Sequence, residues 1–443
     1  MNRDIYLNDI IDLVNGNLLI GENTILSNFK INSKDIENGD IFIGIKGEKI
    51  DGSKFYLDAL KKGAKGCIIN KGFCTELIDN KFILEVDDTI NALQKIASLK
   101  RDKLDIPVIG ITGSVGKTST KDMISSVLET KYKVCKTKGN LNNHIGVPLT
   151  ILSIKDEEVL VVEMGMNHLG EISVLSKILK PTIGVITNVG TAHIGNLGSR
   201  ENILKAKLEI MDGLTGKLII NNDNDMLNNY YKNNKNNVIT IGINNDSHYM
   251  AKDINYKEYT SFKYNNEEIV LKVGGEAFIY NSLIAIAVGD NLGIDIGDIK
   301  KGIENFKLTN NRLEIICAKG YKIINDCYNA NFDSVKEGLN NLNKYNGRKI
   351  AVLGDMLELG SYSIELHKKV GEEVLNNNID FLVTVGPLSI NTYNVVKNKI
   401  VSYHFDNNID AINCLKDIIK ENDVILVKAS NGMNFIDIVN SLK

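Results

Sequence analysis

No apolar run in this 443-residue chain approaches the ~20 residues that a membrane span requires. The first six residues, Met1-Asn-Arg-Asp-Ile-Tyr6, put charge where a secretory leader would need an apolar core. A cytoplasmic chain with no membrane span is expected. Charge of one sign is also missing, since 52 Lys and Arg face 55 Asp and Glu. That balance gives no general attraction for nucleic acid or acidic membranes, so an anionic substrate must be met by local groups. The six cysteines (67, 74, 135, 317, 327 and 414) include no Cys-x-x-Cys spacing, and the six histidines include no His-x-x-x-His pair. Most of the cysteines stand in apolar surroundings, where buried free thiols in a reducing compartment are expected. No internal repeat is visible.

The composition that remains, 43% apolar and 24% charged, is that of an ordinary globular chain. Its length gives a prior of about three domains. The Asn tracts at 221–237 and 376–378 read as solvated loops and helix ends.

The most informative stretch is Gly110-Ile-Thr-Gly-Ser-Val-Gly-Lys-Thr-Ser119. An apolar run (Ile106, Val108, Ile109, Ile111) precedes it as a buried strand, and Met123, Ile124, Val127 and Leu128 mark a helix face after it. Strand, glycine turn and helix start form a phosphate cradle: free N–H groups and the positive end of the helix dipole face an anion. Lys117 would reach the terminal phosphates of a nucleotide, and the Thr118 hydroxyl would ligate Mg²⁺. The strict pattern wants glycine at 111, where this chain has Ile111 and its nearest glycine is Gly110.

Around that stretch the pattern is α/β. Before it, Leu7, Ile10, Ile11 and Val14 have helical spacing, Ile41, Ile43 and Ile45 alternate as in a strand, and Cys67–Ile69 reads as another. This small α/β domain is placed at 1–86, with a helix at about 88–101 leading out of it. The second domain, 87–310, has short apolar runs at Val159–Glu163, Ile183–Thr187, Leu218–Asn221 and Val238–Ile241. They alternate with helical segments, as in a mainly parallel sheet covered on both faces. Between 249 and 273 the period becomes two (Tyr259, Ser261, Lys263; Ile269, Leu271, Val273) around Asn265-Asn266, a β-hairpin added to the core. Tyr280–Leu292 returns to helix. The third domain, 311–443, makes five β–α steps with strands at 321–327, 349–353, 381–385, 400–405 and 423–428. It is Rossmann-like but lacks Gly-x-Gly-x-x-Gly, so a dinucleotide is not expected there.

Few residues carry chemistry by spacing alone. Glu163 ends a strand one step after the phosphate loop, where it would share Mg²⁺ with Thr118 or be a solvated strand-end carboxylate. A lone histidine such as His193 is more often structural. Lys207, in Leu204-Lys-Ala-Lys-Leu-Glu-Ile210, reads as the polar side of a helix, and the run 325–331 as a polar turn. On these grounds the chain is an enzyme of Mg²⁺ and ATP, and no more.

A resemblance goes further. Thr112-Gly-Ser-Val-Gly-Lys-Thr118, Glu163-Met-Gly165, His193 and Ala206-Lys-Leu208 resemble the Mur ligases, which build the peptide of bacterial cell-wall precursors. Asn142-Asn-His-Ile-Gly-Val-Pro148, Asn167-His-Leu-Gly-Glu-Ile172, Asn325-Asp-Cys-Tyr-Asn-Ala-Asn331 and Gly354-Asp-Met-Leu-Glu-Leu-Gly360 are similar to one member of that family. Its first domain also offers Gly39-Asp-Ile-Phe-Ile-Gly-Ile-Lys-Gly-Glu48, and the likeness runs from about residue 32 to 435. The family's early-glycine loop accounts for Ile111.

The resemblance implies a peptidoglycan-precursor ligase that joins D-alanyl-D-alanine to UDP-N-acetylmuramoyl-tripeptide through an acyl phosphate. It implies ATP held by Gly113, Ser114, Val115, Gly116, Lys117, Thr118 and Ser119, with Asn281 at the adenine, Arg312 near the phosphates and Asp326 by the ribose. Two Mg²⁺ ions are implied, held by Thr118, Glu163, His193 and an N-carboxylated Lys207; Lys117, Glu163, His193 and Lys207 are the implied catalytic set. Ser33, Asn142, Asn143, Asn329 and Asn331 are the implied substrate contacts, with UDP on the first domain and the dipeptide on the third. A monomer is expected. Two positions depart from the family: Asn32-Ser-Lys34 replaces an Asp-Ser-Arg, and Ser430-Asn-Gly-Met433 replaces a Ser-Arg-Gly-Met. Lysine keeps the charge at 34 but loses the planar two-pronged donor. The alternatives are another Mur-type or folylpolyglutamate-type ligase, and a nucleotide-binding scaffold without activity.

Overall fold

The computed structural model describes residues 3–256, 260–308 and 312–443. Tyr259 of the expected hairpin and the expected boundary at 310–311 lie outside the described residues.

Three larger sheets follow one another along the chain. The first has the order Asn17–Ile20, Phe82–Val86, Gly66–Asn70, Ile41–Ile43, Phe29–Lys30 and is parallel except for its first pair. Ile41–Ile43 is buried on both faces rather than alternating, because it lies inside a parallel sheet covered on both sides. The helix Thr89–Asp102 leads onward, its N-terminus capped by the Asp88 carboxylate on the N–H groups of Ile90 and Asn91. Near its end Arg101 is buried and donates to the carbonyls of Leu179, Leu104 and Lys180, satisfying a second helix's C-terminus.

The middle sheet is wholly parallel, in the order Tyr249–Met250, Val238–Gly242, Lys217–Asn221, Ile183–Ile186, Val108–Thr112, Val159–Glu163, Val134–Lys136. Its strands split their apolar residues between two cores by the period of two. Ile109, Ile111, Val159, Val161 and Ile219 face the helices Lys117–Leu128 and Glu276–Asn291. Leu160, Val162, Leu218 and Ile220 face the other side, in a core continuous with that of the first sheet. The strand Val108–Thr112 lies between the strands that follow it on either side, which is the topological switch point where such sheets open a ligand crevice.

The hairpin is observed as Thr260–Tyr264 paired with Glu267–Leu271, with Lys252–Asn255 added alongside. The last sheet has the order Glu314–Ala318, Tyr321–Asn325, Val424–Lys428, Lys349–Gly354, Phe381–Val385, Val401–Phe405. Four of its pairings are parallel; the first is antiparallel.

Two further expectations change. The Asn tracts are not uniformly solvated: Asn221, Asn222 and Asn377 are buried. Asn222 is held inside because its amide donates to the carbonyl of Asp246 and the tract closes a loop. Of the cysteines only three are buried, and Cys317 is exposed because its strand is a sheet edge with one face open to water. Among the described residues no helix is long and apolar enough to cross a membrane.

Candidate active site

The strand Val108–Thr112 ends in a loop whose two glycines do separate jobs. Gly113 has φ 155°, and a Cβ there would lie 1.9 Å from Thr187 Oγ1. Gly116 has φ 85° and starts the helix Lys117–Leu128 with no capping side chain, so the first N–H groups stay open to an anion. The loop is clamped from the next strand. Asn188 Oδ1 accepts from Val115 N at 2.9 Å, and Thr187 Oγ1 and Asn188 Nδ2 donate to Val115 O at 2.7 and 3.0 Å. Thr187 and Asn188 were visible only as a strand end in the sequence.

Lys117 curls back to donate to its own loop's Gly113 carbonyl at 2.8 Å. Burial lowers its pKa, Glu163 opposes that fall and Arg312 adds to it. Beside it Thr118 Oγ1 donates to Glu163 Oε2 at 2.8 Å, and Asn142 Nδ2 donates to the other oxygen, also at 2.8 Å. Glu163 is 4% exposed at the carboxyl end of its strand. A buried carboxylate and a hydroxyl side by side are hard oxygen donors of the kind Mg²⁺ selects. Among the described residues no three His, Cys, Asp or Glu stand close enough to hold a metal unaided. That fits an ion held by one or two protein oxygens plus a nucleotide's phosphates.

These groups line one cavity of about 500 Å³. Of the expected residues it gathers Ser114 through Ser119, Asn142, Asn143, Glu163, His193, Asn281, Arg312, Asp326, Asn329 and Asn331. Arg312 lies over the Tyr328 ring at 4.0 Å, and Asn281 accepts from Thr120 Oγ1 at 2.9 Å. Asp326 is paired with the buried Lys428 at 2.5 Å, and Lys428 also donates to the Asn329 carbonyl. Two of the asparagines have local duties as well. Asn143 accepts from the N–H groups of Ile145 and Gly146, and Asn331 caps the helix Phe332–Leu342 with Ser334 in return.

Three expected residues are not on the cavity wall. Gly113 is the loop's first residue, packed against Thr187. Ser33 sits on a short turn of the first unit, with Asn32 capping Lys34 N. Lys207 is 1% exposed, against the reading of it as a polar helix face, and lies behind the wall. Burial, then the neighbouring Lys117 charge, hold its pKa far below the usual amine range. Among the described residues it has no acidic ion-pair partner.

The switch-point cavity and its clamped phosphate loop define a multidomain nucleotide-binding enzyme. The chain belongs to the Mur ligase family: residues 111–289 match the Mur ligase middle domain, and residues 311–431 match the Mur ligase, glutamate ligase domain. A relative from Bacillus subtilis (strain 168), named UDP-N-acetylmuramoyl-tripeptide--D-alanyl-D-alanine ligase, is 38% identical over 95% of this chain and 94% of its own length. The fold matches a crystal structure of MurF from Acinetobacter baumannii with a TM-score of 0.90 at 28% identity, covering 99% of this chain and 98% of that one. It also matches MurF ligase from Thermotoga maritima in complex with ADP, with a TM-score of 0.82 at 30% identity, covering 94% and 97%.

Proposed function

We propose that the chain joins D-alanyl-D-alanine to UDP-N-acetylmuramoyl-tripeptide in the cytoplasm, using ATP and releasing ADP and phosphate. The observation that carries this is the shared cavity: a nucleotide-phosphate loop on one wall faces the asparagine turn of the third unit on the other. The relatives that match end to end, named for this reaction, supply the substrates. Among the described residues no sheet joins strands up to 86 to strands after 87, or strands before 308 to strands after 312, which supports division into domains 1–86, 87–310 and 311–443.

A carboxylate is a poor electrophile. Transfer of the γ-phosphoryl group to the tripeptide's terminal carboxylate gives an acyl phosphate; attack by the dipeptide amine then forms the amide and expels phosphate. Lys117 exchanges its Gly113 carbonyl for the phosphates, and the open helix N–H groups hold them in place. Mg²⁺ supplies charge neutralisation when bound. Thr118 and Glu163 would hold one ion, and Glu163, His193 and an N-carboxylated Lys207 a second. A buried amine with a depressed pKa spends more time neutral and able to take up CO₂, and the anion so formed replaces repulsion by Lys117 with attraction. Asn281 lies at the adenine, Asp326 at the ribose and Arg312 at the phosphates; Asn329 and Asn331 meet the dipeptide, with Asn142 and Asn143 near the muramoyl substrate and Ser33 at the UDP. Walls drawn from two units exclude water from the acyl phosphate when they close.

The test is ADP formation with the UDP-muramoyl-tripeptide and D-alanyl-D-alanine added separately and together. Turnover that needs both is expected; preference for a single amino acid over the dipeptide would overturn the reading.

A further inference from the structure

His193 is not alone at the cavity wall. Glu358, from the turn after the strand Lys349–Gly354, brings Oε2 to 3.1 Å from His193 Nδ1. The contact is at ion-pair distance, and Nδ1 is buried with no hydrogen-bond partner among the described residues. Both residues line the cavity.

The backbones that carry them are fixed against each other. A Cβ on Gly195 would lie 2.6 Å from the Glu358 carbonyl oxygen and from Gly360 N, so the two segments meet main chain to main chain. Tyr362 Oη donates to the Gly198 carbonyl at 2.6 Å. His193 has φ 63° and Glu358 φ 66°, left-handed conformations that non-glycine residues keep only where the surroundings hold them. Two strained residues thus face each other across the junction of the middle and third units.

We propose that Glu358 is a positioning residue for His193: its carboxylate orients the imidazole from Nδ1, leaving the other nitrogen for metal, so that ion capture depends on docking of the third unit. This rests on the reading of His193 as a metal ligand. A carboxylate behind a ligating imidazole fixes the tautomer and raises ligand basicity, and losing it costs about 10- to 100-fold in metal affinity. Here that partner comes from a different unit than the ligand, so the same contact reports whether the cavity is assembled.

The test titrates Mn²⁺ into the full-length protein with a non-hydrolysable ATP analogue, counting free ion by electron paramagnetic resonance. Glu358→Ala is expected to weaken one Mn²⁺ site about tenfold, and Glu358→Gln to recover part of that loss. Gly195→Ala, which forces the two backbones apart, is expected to weaken the same site with the carboxylate intact. Affinity for the analogue without Mn²⁺ should not fall, since Glu358→Ala removes a negative charge from the wall. Glu358→Ala binding Mn²⁺ like the parent, while His193→Ala weakens it, overturns the positioning role alone. Parent-like Mn²⁺ binding by His193→Ala removes the metal reading of His193 and the proposal with it.

Discussion

Glu337, on the helix Phe332–Leu342, lines the cavity near Asp326 and Lys428. Burial, then the Asp326 charge, push its carboxyl from the usual 4.5 up to about 7, while Lys428 and Lys344 pull the other way. A folded pKa above the unfolded one means that the native chain holds this proton more tightly. Below about pH 4 both states are protonated and Glu337 costs nothing; above about pH 7 both are ionised and the native state bears the whole cost. At 1.36 kcal/mol per pH unit the rise corresponds to about 3 kcal/mol. Because the side chain is only partly buried, solvent screening brings the working figure to about 2 kcal/mol. Glu337→Gln should therefore stabilise the ligand-free protein at pH 8 and leave it unchanged at pH 4. For a unit of this size, that is about 6–8 °C in the third-domain transition by scanning calorimetry. Equal shifts at both pH values, or none at pH 8, would refute the burial argument.

Two further outcomes are expected. Lys207→Ala should lose ligase activity that Lys205→Ala keeps, since 207 is buried and 205 exposed; equal losses would remove the carbamate. Gly113→Ala should lose ATP binding by tenfold or more in a calorimetric titration, because the new methyl collides with Thr187 Oγ1. Adding Thr187→Ala should return part of it, and no recovery at all would place the cause elsewhere.

The parallel core was legible because strands covered on both faces are written as continuous apolar runs, as in Val159–Glu163. The phosphate loop was legible because positive φ at a strand–helix junction demands glycine. Short edge strands were not: Val134–Lys136, Phe29–Lys30 and Glu314–Ala318 carry too few residues, or too mixed a pattern, to stand out. Lys207 was misread although a signal existed. Ile203, Ala206 and Ile210 are the buried positions of its stretch, and 207 completes the i, i+3, i+4, i+7 face on which they lie. A lysine at an apolar position is the unusual feature, whereas Lys205, two residues earlier, points the opposite way. Glu358 lay within the quoted motif 354–360, but its proposed role could not be read there, since it depends on a contact with His193 across more than 160 positions.

The charge on the cavity wall supports the proposed use of divalent ions. Lys117, Arg312 and Lys428 are its cations, against the carboxyls of Glu163, Glu171, Asp326, Glu337 and Glu358. Lys428 is already spent on Asp326, which leaves two cations to meet a triphosphate and a second carboxylate substrate. Like charges brought together in a site withdrawn from water repel far more strongly than in bulk. Even with Glu337 protonated, four acids face three bases, so the wall alone has no net attraction for two anions. The acids are nonetheless grouped where hard cations can use them, with Glu163 against Thr118 at 2.8 Å. Ions held there would turn the repelling wall into an attracting one for the phosphates. On the proposed reading, metal and nucleotide entering together would offset that repulsion.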